Sequence, residues 1–153
     1  MKNLQTTFIT CLLLLSVISC KKEEEKTTSN TSPTTTASFE WQEDGGPKML
    51  ADSAFWTTGS WGTGIRAYKA GMANFFEINW SGNNNTSPGK KVISSSNYGF
   101  TFMKGGTTYN ISADQELTIT AAEANTLTGS FTITPVGGTI TSIAANFNAI
   151  PKK

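Results

Sequence analysis

Histidine is absent from the 153 residues, which removes the commonest general base at neutral pH and the commonest metal ligand. Cysteine occurs twice, as Cys11 and Cys20, both near the N-terminus. The remainder of the chain has no thiol for a disulfide or for a zinc, copper or iron–sulfur site, and no metal or cofactor is expected. Charge is sparse and balanced, with 12 Lys and Arg against 11 Asp and Glu; from Phe39 onward the two kinds number eight each. A nucleic-acid partner would ask for a basic face or stripe. Lys90-Lys91 and Lys152-Lys153 are only short pairs of the kind that mark solvated loops and termini. The phosphate-cradling word Gly-x-x-x-x-Gly-Lys-Ser/Thr does not occur, and Thr57 to Gly64, TTGSWGTG, lacks its lysine. An oxygen-ligand calcium loop places ligands at about every second position, and Glu43-Asp44 and Asp114-x-Glu116 are too sparse for one. Long apolar runs are missing too: none reaches the roughly 18 residues that a transmembrane helix requires.

The apolar run that is present, Phe8 to Ile18, is broken by Thr10, Cys11 and Ser16 and preceded by Lys2. It has the length of a signal-peptide core, about 7 to 15 residues. Its end, Val17-Ile18-Ser19-Cys20, resembles the bacterial lipobox: a branched apolar residue, then a small residue directly before a cysteine. The resemblance implies cleavage before Cys20, fatty acylation of its thiol with chains such as palmitate, and acylation of the new amine. Each buried methylene adds about 0.8 kcal/mol and one chain anchors only marginally, so two or three chains hold the protein on a membrane. An ordinary secretory signal ending near Ser19, leaving Cys20 a free thiol, is the alternative.

Residues 1–19 are thus read as the signal, 20–38 as lipidated cysteine and tether, and 39–153 as the folded domain. The tether, KKEEEKTTSNTSPTTTAS, has almost nothing to bury and is expected to be disordered. As a flexible coil it reaches about 25 Å, enough to clear lipid headgroups. Lys21-Lys22-Glu23-Glu24-Glu25 resembles the surface-export signal of Bacteroidetes lipoproteins. That likeness implies a lipid-anchored outer-membrane protein facing the cell surface; the alternative is a solvated spacer on the periplasmic face.

From Phe39 the pattern has a period of two residues. Phe39 and Trp41, then Phe76, Ile78 and Trp80, then Phe100 and Phe102, Tyr109 and Ile111, and Leu117 and Ile119 alternate with other residues, as half-buried strands do. Phe75, Glu77 and Asn79 fall on the face opposite Phe76. Strands are expected from Phe39, at Met49–Thr58, Ile65–Ala70, Ala73–Trp80, Lys91–Ser95, Tyr98–Met103, Thr107–Ala113, Glu116–Ala121, Thr126–Thr134 and Thr139–Ala149, with no helix beyond a turn at Ala121–Ala124. TTGSWGTG and SGNNNTSPG (Ser81 to Gly89) read as loops. The expectation is a single all-β domain: an antiparallel sandwich or a partly open barrel of about 8 to 10 short strands.

FEWQEDGGPKMLADSAFW, FFEINW, YGFTFMKGGTTYNISA and LTGSFTITPVGGTITSIAANFNAIP together resemble small Bacteroidetes outer-membrane lipoproteins of a domain-of-unknown-function family. The shared residues are Trp41, Ala51 to Ala54, Gly105 to Tyr109, Leu127 to Phe131 and Ile140 to Pro151. They are turn and core positions, so the resemblance implies a fold and no activity. This chain has Asn146 before Phe147 where members often have glycine.

Candidate site residues are few. Trp61 sits between Ser60 and Gly62 in a loop and could stack on a sugar or side chain; with Asn83, Asn84 and Asn85 it makes a candidate ligand site. Trp41, Trp56 and Trp80 are expected in the core. Asp114 and Glu116 have the spacing of one strand face and are the one pair that a hydrolase could use, although two solvated carboxylates are the expectation. Asp52-Ser53-Ala54 matches the word at which Bacteroidetes attach O-linked glycans, which makes Ser53 a modification candidate. The expected function is a non-catalytic lipoprotein, an interaction or accessory component of the envelope that offers a sheet edge or loop surface. The alternative is a glycan or small-ligand binding module. Expected partners are the membrane, through the lipid, and an envelope protein or a glycan, with no nucleic acid.

Overall fold

Apolar side chains at every second position can be buried together only if the strands pair into sheets and the sheets stack. A computed structural model describes residues 36–60, 62–82, 85–96 and 98–153. Among the described residues are β1 (Ser38–Glu43), β2 (Met49–Leu50), β3 (Ser53–Gly59), β4 (Gly62–Lys69), β5 (Asn74–Trp80), β6 (Gly89–Ile93), β7 (Phe100–Lys104), β8 (Thr107–Tyr109), β9 (Gln115–Glu123), β10 (Thr126–Ile133) and β11 (Ile143–Pro151). They form two antiparallel sheets, one ordered β2-β1-β11-β10-β9-β6 and the other β3-β4-β5-β7-β8. The domain is an all-β sandwich.

Aromatic rings join the two layers. Phe39 and Trp41 of β1 meet Phe76 of β5 with ring centroids 5.2 and 5.1 Å apart, and Phe131 of β10 meets Phe100 of β7 at 6.5 Å. Trp41, Trp56 and Trp80 are buried, as are Phe76, Ile78, Phe100, Phe102, Leu117 and Ile119. Backbone bridges lace the sheets at their sides. Lys152 pairs with Trp56 of β3, and Asn110, just after β8, pairs with Val136 between β10 and β11. Above the indole of Trp56 lies the Lys152 ammonium, 5.0 Å from the ring centre, while the indole N–H finds no acceptor among the described residues.

Several expectations change, three of them in the placing of the site. Met49–Thr58 is two strands, which raises the count to eleven: Ala51 N–H donates to Phe39 O at 2.8 Å and Asp52 N–H to Tyr68 O at 2.8 Å, so the chain steps from one sheet to the other between neighbouring residues. Thr57–Gly64, expected as a loop, is largely strand, because β3 and β4 pair as far as Gly59 opposite Gly62. Lys90 and Lys91 are not an equivalent solvated pair. Strand alternation sends Lys90 outward to Glu116 at 2.7 Å and Lys91 inward, 8% exposed, where its ammonium donates to Asn85 Oδ1 at 2.8 Å and Ser87 Oγ at 3.2 Å.

Candidate functional site

Cys20, the signal and the tether as far as residue 35 lie outside the described residues, as do Trp61, Asn83 and Asn84. What flanks them is described. Gly62 lies so close to the Trp80 carbonyl that a Cβ would overlap it, and the Thr63 hydroxyl donates to Gly82 O at 3.2 Å. The start of β4 and the segment after β5 are therefore held together. Asn85 belongs to the same framework: its carbonyl accepts from Trp80 Nε1 at 2.8 Å and its side-chain oxygen from Lys91.

Asp114 and Glu116 line one shallow groove of about 610 Å3 on the outer face of the six-stranded sheet, with Thr118, Ser130, Thr132 and Asn146. Each carboxylate is already engaged. Asp114 Oδ1 accepts from Ser95 N–H at 2.9 Å and from its hydroxyl at 3.1 Å, and Glu116 pairs with Lys90. The backbone N–H of Ser95, then its hydroxyl, hold Asp114 below the usual carboxylate range. A weakened base tied to a loop is suited to bracing rather than to proton transfer.

The Ser95 contact belongs to a loop that the sequence reading placed partly in a strand. Residues 94–99 read SSSNYG, and β7 begins only at Phe100. Asn79 anchors the loop from β5: its N–H donates to Gly99 O at 2.6 Å and its side-chain amide to Tyr98 O at 3.1 Å. Gly99 N–H donates to Ser94 O at 3.2 Å, and a Cβ on Gly99 would strike the Ser94 backbone. Between these fixed points Tyr98 adopts φ 50° and is 86% exposed. Left-handed backbone costs a non-glycine residue roughly 1–2 kcal/mol, and such strain concentrates at functional positions. The legible signal was a tyrosine inside a run of turn formers, directly before glycine.

A second unusual surface covers the outer face of the five-stranded sheet. Register places Ser53, Tyr68, Phe75, Met103 and Thr108 in one row across the strands, with Phe55, Arg66, Glu77 and Thr101 in the next. Phe55 and Tyr68 are stacked with centroids 6.0 Å apart, and Tyr68 meets Phe75 at 5.1 Å. All three rings and Met103 are only half-buried. Arg66 bonds Glu77 through Nη2 at 2.8 Å and Nε at 3.3 Å, and the Lys153 ammonium stands 4.1 Å over Phe55. The doublets Phe55-Trp56 and Phe75-Phe76 forecast this face, because alternation must turn one ring of each pair outward. Ser53 is exposed in the same row, and Asp52 beside it accepts from Ala70 N–H at 2.6 Å.

Comparison with known proteins finds no matching family model, no matching curated protein and no matching solved structure.

Proposed function

We propose that the chain is a non-catalytic lipoprotein, acylated on Cys20 and held on the outer face of a bacterial outer membrane, whose β domain docks another envelope protein. The observation that carries the docking part of this reading is the patch made by Tyr68, Phe75 and Met103 in one row and Phe55 in the next, on the outside of the five-stranded sheet. The solvated face of an antiparallel sheet is ordinarily polar, and a contiguous apolar patch left half-exposed on such a face is the kind of surface that interaction sites present. Phe55 and Tyr68 stack on each other, so their faces are spent internally. That arrangement suits burial under a partner's apolar side chains better than stacking on a sugar.

Strand addition at an edge is the less favoured mode. β2 has two residues and β8 three, β3 is bridged by the C-terminal residues, and β6 carries Lys90 and Lys91. Short, charged or covered edges resist augmentation. Asp114 and Glu116 support the non-catalytic part through their existing bonds to Ser95 and Lys90. Ser53, exposed opposite Tyr68 in the same row, is the residue that an O-linked glycan would occupy, and an intact-mass spectrum of the native protein showing lipid alone would end that part.

A photo-crosslinking residue at Phe75, activated in intact cells, tests the docking surface. One dominant adduct is expected, absent when the same probe replaces the exposed Thr120 of the other sheet. Indistinguishable adducts from the two positions would overturn the reading.

A further inference from the structure

We propose that Tyr98 and the two clefts beside it bind a neutral saccharide, with one sugar ring stacked on the tyrosine and its neighbours seated to either side. This site does not depend on the docking face, and either can stand without the other. The clefts measure about 380 and 370 Å3, each within the roughly 300–1,000 Å3 of small-ligand sites. Tyr98, Ser96 and Gly99 line both; Asn79 and Ser94 line the first, and Ser95 and Asn110 the second.

Their chemistry narrows the ligand. Among the described residues neither cleft has a charged lining side chain, which leaves an ionic ligand without a counter-charge. Serine hydroxyls and asparagine amides both donate and accept hydrogen bonds, and a wholly apolar ligand would bury them unpaired at a cost. A sugar ring supplies both requirements, C–H groups for the exposed ring and hydroxyls for the serines and asparagines. Nucleic acid fits poorly because the domain is neutral.

Geometry supports a prepared site rather than an idle loop. The left-handed Tyr98 is fixed from β5 by Asn79, from within the loop by Gly99 to Ser94, and from the entry to β9 by Asp114 on Ser95. Residues braced in this way lose little freedom on binding, which is how preorganised sites gain affinity. Since two clefts flank one ring, an oligosaccharide of at least three units is the expected size class.

The test uses the whole chain in detergent against immobilised neutral oligosaccharides (β- and α-glucans, mannan, xylan and galactan fragments), followed by titration calorimetry of any hit. Binding of at least one is expected, weakened roughly tenfold or more by Tyr98→Gly and little changed by Tyr98→Phe, which keeps the ring. Glycine relieves the positive φ, so the Tyr98→Gly protein should melt no lower than wild type, and lost binding cannot then be ascribed to unfolding. No binding to any neutral oligosaccharide at millimolar concentration would overturn the proposal. So would equal binding by Tyr98→Gly, or binding confined to charged glycans.

Discussion

Among the described residues four that are not glycine hold positive φ: Asp44, Ala70, Tyr98 and Ala149. Asp44 is compensated. It opens an Asp-Gly turn in which Gly46 N–H donates to Glu43 O at 2.7 Å, and its carboxylate accepts from Thr141 N–H at 2.9 Å, Thr141 Oγ at 2.7 Å and Ser142 N–H at 2.8 Å. The Thr141 hydroxyl, then its N–H, hold the Asp44 carboxyl below its ordinary range. A lowered folded-state value means that this contribution to stability is complete above about pH 4 and lost as pH falls through the folded value. In urea denaturation between about pH 5 and pH 2, wild type should therefore lose more stability than Asp44→Asn. Ala70 has a small apolar side chain and no such compensation, so Ala70→Gly should stabilise by about 1 kcal/mol; a lower urea midpoint would contradict this. Local sequence showed the turn at Gly45-Gly46 but could not show that Asp44 reaches Thr141, 97 residues away.

Strand elements were legible wherever alternation was clean. Phe76, Ile78 and Trp80 are buried on one face of β5, and Phe75, Glu77 and Asn79 lie on the other. Met49–Thr58 was not legible as two strands, because the step between sheets at Ala51-Asp52 carries no glycine or proline. The reading of TTGSWGTG as a loop failed for another reason. Glycine is a weak strand former, yet here it is required, since β4 begins against the Trp80 carbonyl. Gly129 makes the same point inside β10. The register of β10 shifts beside it, against both β9 and β11, and a Cβ there would drive into the Thr118 carbonyl and the Phe147 ring. Gly129→Ala should destabilise by about 1–3 kcal/mol through overpacking. An unchanged melting temperature would show that the bulge has slack.

At the scale of the whole molecule the domain is neutral, free of histidine and cysteine, and built around aromatic contacts between its layers. Composition alone argued against histidine- and thiol-based chemistry in the domain. It could not locate a binding surface, because a ring's exposure depends on strand phase and loop geometry. Trp61 stands out by its neighbours in sequence and the doublets Phe55-Trp56 and Phe75-Phe76 by alternation, whereas the contact of Phe55 with Tyr68 and the exposure of Tyr98 appear only once strands and loops are placed. The two proposals fall on different surfaces of the domain, protein docking on the sheet face and saccharide binding at the Tyr98 loop.

Docking on the sheet face is the central claim, and partner capture from intact crosslinked cells tests it most directly. The affinity tag belongs after Ser29, because the C-terminal residues bridge Trp56. Wild type is compared with Tyr68→Thr/Phe75→Thr, which exchanges two rings for a residue that suits an exposed strand. The account predicts one stoichiometric envelope protein with wild type and its loss from the double variant, with the far-UV circular dichroism of the two proteins alike. Recovery of the same partner in equal yield with the folded double variant, or of the wild-type protein alone, would contradict it.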